Sequence, residues 1–499
     1  MMQAPAPPSP SQTRPSPGTR RDPAPAQSPL ALRIAAVGLL IGVLTLIAWH
    51  LAHKLLQVRV GTLTGIYTAV ICGYVLSRFL LAALYRPPKD AGMEPHCAVI
   101  VPSYNEGEAV ARTIHALMSL DYPPEKLEVV VVDDGSSDDT WHHMVAAAVD
   151  YPDVRLGPRH DPAGSACPPV GNCPYCEWRY HDTGRSRVRL ISLGTNQGKR
   201  AAMAAGIRAT SAEILVFVDS DSIPARDGVR KLVQGFANPR IGAISGLTYV
   251  RNADTNMLTR MQAARYYISY QLLKAAESRL SAVACCSGCF AAYRREAVAT
   301  VLPRWEHQRF LGVECTYGDD RALTNMVLRQ GWRAIYDNRA EAWTDVPDRY
   351  RKFFRQQLRW KKSWAREGPI LLSHIWRTRS RAFPSVLVNT VAGLLSPVIV
   401  LWNLIHPLTR PQVMPIIYAL GLYLVSMAYG LLYRALRRDG LWTYAFFGTF
   451  FYVGFSAQLI WAILRIRDGK WGTRGPQPPS PGPALGTGTG AGTAVPDAA

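Results

Sequence analysis

Two aspartates flank a single serine at Asp219-Ser220-Asp221, directly after the apolar run Ile214–Val218. Carboxylates that close repel unless a cation or hydrogen-bond donors hold them. Hard oxygen ligands of this kind suit Mg²⁺ or Mn²⁺, which bind through one or two carboxylates plus substrate phosphates. Two more polar clusters also follow apolar runs, Ser103-Tyr104-Asn105-Glu106 and Asp133-Asp134-Gly135-Ser136. Each alone reads as a turn, because Asp, Asn and Gly are turn formers; three acidic run ends together read as a site. Lys199 follows Gly198 at the start of a helical pattern. It is either a solvated lysine or part of an anion site, since a helix N-terminus offers free N–H groups and glycine lets a ligand approach the backbone. Asp319 and Asp320 follow Gly318. Either can take the proton of a hydroxyl, which is a poor nucleophile until that proton leaves, or pair with the adjacent Arg321. Gln356, Arg359 and Trp360 are spaced i, i+3, i+4, so a helix carries them on one face. That face offers a guanidinium to an anion and an indole to an apolar surface.

These residues need elements to position them. Strand patterns over Cys97–Pro102, Leu127–Val132, Val188–Leu193, Ile214–Val218 and Ile241–Val250 alternate with helical patterns over Glu106–Leu120, Lys199–Ala209 and Arg226–Ala237. Such alternation predicts an α/β fold with a largely parallel sheet covered by helices. In that fold ligands bind beyond the carboxyl ends of the strands, where the polar clusters stand.

The block is bracketed by five uncharged runs, Ile34–Ala52, Val60–Ser77, Ala382–Thr409, Pro411–Tyr433 and Gly440–Leu464, each near or above the roughly 18–20 residues that cross a bilayer. With 48% apolar and 18% charged residues so segregated, the composition excludes a simple soluble domain, a disulfide-rich secreted module and a mostly disordered chain. Net charge is +20, from 56 Lys+Arg against 36 Asp+Glu, matching a membrane protein whose short inner loops hold the basic excess. No recognition motif supports a nucleic-acid partner. Arg14, Arg20, Arg21 and Arg33 place the N-terminus inside, and two crossings over 30–86 return the chain to the cytosol for block 94–367. Segment 351–381, basic and aromatic, predicts interfacial amphipathic helices; 382–436 predicts two crossings. Basic clusters then flank the fifth run on both sides, at Arg434–Arg438 and Arg465–Arg474, and both belong inside. The run is too short for two crossings, so 440–464 is expected to be re-entrant or interfacial. The tails, 1–29 and 476–499, are low-complexity and are expected to be disordered.

The motifs VIVPSYNEGE (Val99–Glu108), VVVVDDGSSD (Val129–Asp138), NQGKRAA (Asn196–Ala202), VDSDS (Val218–Ser222), YGDDRALTN (Tyr317–Asn325) and QQLRW (Gln356–Trp360) resemble, in this order, the processive membrane glycosyltransferases of family 2. Within them YGDDRALTN, QQLRWKKSWARE (Gln356–Glu367) and WGTR (Trp471–Arg474) look most like hyaluronan synthases, with chitin and chito-oligosaccharide synthases as relatives. The resemblance implies a cytosolic type A, Rossmann-like glycosyltransferase domain inserted between transmembrane helices of a multi-pass plasma-membrane protein. It implies that UDP-GlcNAc and UDP-GlcA are joined by inverting transfer into hyaluronan, and that the growing polysaccharide is exported through the bilayer. A single-donor chitin-type synthase shares nearly all the motifs. It further implies that Tyr104, Glu106 and Asp134 hold the uridine, that Lys199 approaches the pyrophosphate, and that Asp221 binds the Mg²⁺ or Mn²⁺ with Asp219 beside it. Asp320 would be the general base, with Asp319 next to it. Gln356 and Arg359 would face the pyrophosphate and Trp360 the acceptor sugar. Trp471 and Arg474 would belong to a gating loop, 465–475, that reaches into the site.

Cys285-Cys286-Ser287-Gly288-Cys289-Phe290-Ala291-Ala292-Tyr293-Arg294 resembles the acceptor-side motif of hyaluronan synthases, which usually runs Ser-Gly-Pro-Leu-Gly-Met-Tyr-Arg. Cys289 to Ala292 depart from it; Cys285 matches a cysteine near the acceptor and is otherwise a buried thiol. Cys167, Cys173, Cys176 and His181 lie in a Pro/Gly-rich interruption of the α/β pattern. They are either the ligands of a structural Zn²⁺ or free thiols on a loop.

Overall fold

The computed structural model describes residues 63–149, 188–405 and 414–468. The run Ile34–Ala52, both tails, the Cys167–His181 cluster and the segment with Trp471 and Arg474 lie outside the described residues.

A long apolar helix, α1 (Leu63–Ala83), leads into the α/β unit. In chain order this unit contains β1 (Cys97–Ser103), α2 (Ala109–Met118), β2 (Leu127–Asp133), α3 (Thr140–Val149), β3 (Val188–Ser192), α4 (Lys199–Arg208), β4 (Ile214–Phe217), β5 (Ile223–Pro224), α5 (Gly228–Val233) and β6 (Ile241–Val250). Next come α6 (Met257–Ile268), a π-turn at Ser269–Lys274, α7 (Ala275–Arg279), β7 (Ala291–Arg294), α8 (Arg295–Ala299), α9 (Leu302–Glu306), the small hairpin β8–β9 (Arg309–Phe310, Val313–Glu314), α10 (Asp319–Arg329) and β10 (Arg333–Thr344). The helix α11 (Tyr350–Thr378) then carries the chain to the apolar helices α12 (Phe383–Ile405) and α13 (Met414–Leu436), followed by α14 (Trp442–Gly454) and α15 (Gln458–Leu464).

Among the described residues, eight strands form one sheet in the order β3-β2-β1-β4-β7-β6-β10-β5. Strands β1 to β4 pair in parallel, as does β6 with β10. The sheet is thus parallel in four of its pairings and mixed at one side, where β7 runs antiparallel to both β4 and β6, and β5 antiparallel to β10. Alternate side chains feed two apolar layers. Ile100, Val130, Val132, Leu215 and Phe217 face α4, α10 and α11, while Val99, Val101, Val129, Val131 and Val216 face α2, α3 and α5. Burial on both faces explains why these strands are near-continuous apolar runs.

Among the described residues, four helices are long and apolar enough to cross a membrane, Gly65–Ala83, Ser380–Asn403, Tyr418–Leu436 and Trp442–Leu464. The last is broken by a 3-10 turn at Phe455–Ala457. The Phe455 carbonyl, which takes the Gln458 N–H, also accepts the Lys361 ammonium of α11, and Gln458 Nε2 donates to the Phe354 carbonyl at 2.9 Å. The chain on either side of the segment touches the α/β unit. The Arg437 guanidinium lies 5.3 and 5.4 Å from the Tyr249 and Tyr267 rings at one end. At the other, Tyr317 Oη donates to the Ile466 carbonyl (2.9 Å) and Lys362 Nζ to that of Asp468 (3.1 Å).

Candidate active site

Parallel register sets Ser103 opposite Asp133 and Asp133 opposite Ser192, so the polar clusters leave the sheet at one edge. Val218 N–H donates to the Ile100 carbonyl, which brings Asp219-Ser220-Asp221 to the same edge. Because β7 is antiparallel, with Ala291 opposite Phe217, it delivers the loop before it, Cys285–Phe290, to this edge as well.

The loops are laced together. The Glu106 and Gly107 N–H groups both donate to Thr140 Oγ1 at 2.8 Å, so the helix expected from Glu106 starts only at Ala109. Tyr104 and Glu106 are half-buried on that turn. Gly135 has φ +68°, and a Cβ there would lie 2.4 Å from the Thr195 backbone, so only glycine fits. Asp134, 3% exposed, accepts the Gln197 and Gly198 N–H groups at 2.8 and 2.9 Å and thereby shapes the turn that opens α4.

Lys199, the first residue of α4, reaches Asp219 Oδ1 at 2.5 Å and Asp319 Oδ2 at 3.6 Å. Burial would lower its pKa, but the Asp219 and Asp319 carboxylates outweigh burial and raise it. Burial would likewise raise Asp319, yet Lys199, Arg200 and Arg359 hold it below the usual carboxylate value. This group is therefore ionised, and Lys199 serves the carboxylates rather than standing free in solvent.

Asp221 behaves differently. Burial first, then the Asp219 and Glu106 carboxylates, push it up to about 6, while the Thr344 hydroxyl (3.2 Å) works the other way. A buried carboxylate raised by acidic neighbours is a place short of positive charge. The hard oxygens of Asp221 and Asp219 fit Mg²⁺ or Mn²⁺, which would supply that charge.

Asp320 sits in the first turn of α10. Its Oδ1 accepts the Arg321 N–H at 2.7 Å and its Oδ2 the Cys285 thiol at 3.3 Å. Burial, with Asp320 next to it, pushes the Cys285 thiol far up, so it remains a neutral donor. Gly318, at φ +73°, starts α10; a Cβ there would lie 2.0 Å from Ser363 Oγ on α11. Gln356, Arg359 and Trp360 share one face of α11. Gln356 Oε1 is buried without a partner among the described residues, Arg359 bears on Asp319, and Trp360, 42% exposed, lies 6.3 Å from the Tyr266 ring. The structure thus joins Lys199, Asp219, Asp221, Asp319, Asp320, Cys285 and Arg359, with Trp360 and Tyr266 forming an aromatic wall.

Sequence reasoning missed the groups behind this cluster. Arg366 and Glu367, each 1% exposed, are ion-paired at 2.8 Å. Arg366 donates to the Tyr317 carbonyl (2.7 Å), and Glu367 accepts from Gln308 and Asn325 (both 2.9 Å). Lys274, from the π-turn, donates to Ser245 Oγ (2.9 Å) and the Cys285 carbonyl (2.6 Å). Only contacts across elements give these residues their places.

An α/β unit whose sheet ends in a carboxylate pair, a buried lysine and a held aspartate is the frame of a glycosyltransferase, and comparison with known proteins gives the same class. Residues 98–163 match the family described as glycosyl transferase family 2 and residues 178–363 the one described as glycosyltransferase-like family 2. Hyaluronan synthase of Streptococcus pyogenes is 30% identical over 370 residues, 74% of this chain and 76% of that protein. The chain belongs to glycosyltransferase family 2. An N-acetylglucosaminyltransferase of Azorhizobium caulinodans is 32% identical over 56% of this chain and 62% of its own length. In fold, the chain resembles a mannosyltransferase from Pyrobaculum calidifontis solved with GDP-Man and Mn²⁺, with a TM-score of 0.53 at 21% identity, covering 82% of this chain and all of that one.

Proposed function

We propose that this membrane glycosyltransferase polymerises UDP-GlcNAc and UDP-GlcA into hyaluronan by inverting transfer and exports the chain across the plasma membrane, with its α/β unit in the cytosol. The observation that carries the transfer chemistry is the Asp320 carboxylate, held by a thiol and a backbone N–H beside the Lys199–Asp219–Asp319 cluster. Donors on both oxygens fix its orientation. It accepts the proton of an acceptor hydroxyl as that oxygen bonds to the donor anomeric carbon, while the bond from that carbon to the phosphate oxygen breaks. Lys199 would take the pyrophosphate, and Tyr104, Glu106 and Asp134, at the strand ends, the uridine. Arg359 and Gln356 face the phosphates, and Trp360 stacks the acceptor sugar. A divalent cation on Asp221, with Asp219 beside it, would neutralise charge on the departing UDP. Trp471 and Arg474 would close over the site, since the chain reaches Asp468 at Lys362, next to Tyr317.

Hyaluronan is favoured by the length of the match to a hyaluronan synthase. The single-donor reading, a β-1,4-GlcNAc polymer, is favoured by the N-acetylglucosaminyltransferases, one of which is 36% identical over 55% of this chain, and by the departures at Cys289–Ala292.

The test of the chemistry is UDP release by purified protein in lipid. Release should need Mg²⁺ or Mn²⁺ and stop on chelation. Asp320→Asn should lower it by about 10²–10⁴-fold while UDP still binds. Turnover retained in Asp320→Asn removes this residue from the base role.

A further inference from the structure

Far from the strand ends that carry the cluster above, a groove of about 320 Å³ is lined by Pro239, Arg240, Gln330, Trp332, Arg333 and Arg379. Arg240 directly precedes β6, Arg333 opens β10 opposite Ile241, and Arg379 directly follows α11. Strand β10 runs from this groove to Thr344, which bonds Asp221, and its pairing from Ile241 to Val250 of β6, nine steps of ~3.3 Å, puts the two sites about 30 Å apart.

Three guanidiniums from three separate segments meet here, and among the described residues none of the three pairs with a carboxylate. Arg379 is also fixed in place. It donates to the Thr378 carbonyl at 2.8 Å and to the Gly331 carbonyl, while its Nε is buried without an acceptor. Burial, followed by the Arg333 and Arg240 charges, lowers its pKa. Arginines with no task beyond solubility turn separately to water. Here one is held by backbone carbonyls, facing two like charges, and an acceptor is missing. Planar guanidiniums match the tetrahedral oxygens of a phosphate better than any neutral ligand.

The groove also has a fixed relation to the membrane. Arg379 directly precedes the apolar stretch Ser380–Asn403. Trp376, 49% exposed, lies one turn back with the Arg377 guanidinium 4.6 Å from its ring centroid, a pairing suited to the headgroup layer.

We propose that the Arg240–Arg333–Arg379 groove is a phosphate-binding site distinct from the catalytic one, and that its ligand is the phosphate of an anionic phospholipid headgroup at the inner leaflet. A free phosphate is the same chemistry from another source, and the experiment separates the two.

The full chain is purified in detergent and exchanged against phosphatidylglycerol or phosphatidylcholine, and bound lipid is counted by native mass spectrometry. The wild type should retain one phosphatidylglycerol preferentially. The variant R240Q/R333Q/R379Q should bind it at least about tenfold more weakly, since charge-assisted bonds are lost, while still releasing UDP. In parallel, inorganic phosphate and glycerol 3-phosphate are titrated in detergent with thermal unfolding as readout. Saturable stabilisation of the wild type alone, without preferential lipid retention, would keep the phosphate site and assign it to a soluble ligand. Equal retention of both lipids with no effect of either phosphate overturns the proposal. If the triple variant does not fold, Arg379→Lys keeps the charge but not the planar fork. Undiminished phosphatidylglycerol retention in that variant overturns the proposal as well.

Discussion

Single residues in this protein act mostly through what holds them. Gly318 is an example: its backbone at φ +73° starts α10 and leaves room for Ser363, so that Asp319 and Asp320 fall where Lys199 and Cys285 meet them. Gly318→Ala adds about 1 kcal/mol of backbone strain and a contact of 2.0 Å with Ser363 Oγ. UDP release should fall by about a hundredfold, the cost of a misplacement near 1 Å. Adding Ser363→Gly should recover part of it; a single variant at the wild-type rate would refute the account of this turn. His374 poses a second, separate case. It is 8% exposed, neither ring nitrogen has a partner among the described residues, and burial followed by the Arg329 charge depresses its pKa to about 4, against the opposing pull of Glu367. The unfolded chain, with a value near ~6.5, then binds the proton first. The stability this group contributes is complete above that value and is lost as pH falls toward 4. Thermal unfolding at pH 7 and pH 5 should show the wild type losing more than His374→Leu, and parallel losses would contradict it. Much of the site was legible because acidic residues at the ends of apolar runs are visible in one dimension. The Cys285–Asp320 bond, the Lys199–Asp319 contact and the Arg366–Glu367 pair were not, because each joins elements distant in sequence or depends on partners that are.

Elements were readable where burial is uniform. Strands β1, β2, β4 and β6 are buried along almost their whole length, so each is an apolar run. Strand β10 escaped notice because Asp337, Asn338, Arg339 and Glu341 interrupt it and its pairing with β6 slips between Tyr336 and Glu341. Strand β7 is four residues long and antiparallel, a short piece whose direction no local pattern encodes. The segment Trp442–Leu464 is the element on which topology turns. Its length allows a crossing, while its broken middle docks on α11 and the chain on either side of it docks on the α/β unit. We infer that it lies along the membrane surface, with the chain beyond Leu464 on the cytosolic side. A cysteine placed at Gly475 should resist a membrane-impermeant maleimide in intact cells and react in inverted vesicles. Labelling from outside would show that the segment crosses.

At the scale of the molecule, one end of the sheet carries the carboxylates and α11 joins that end to the apolar helices. Arg78 of α1 donates to Ser385 Oγ of α12 at 2.7 Å, tying the amino- and carboxyl-terminal apolar helices together beside the α/β unit. This arrangement suits a transferase that keeps its product at a membrane and adds to it repeatedly. Pocket chemistry common to UDP-sugars would serve one donor or two, so the product distinguishes the two readings. The most direct test supplies purified protein in lipid, with Mn²⁺, with UDP-GlcNAc alone, UDP-GlcA alone and both together, and tracks UDP release and polymer. The account predicts sustained release and a hyaluronidase-sensitive polymer only with both donors. Sustained polymer from UDP-GlcNAc alone would contradict it and assign the chain to chitin-type synthesis.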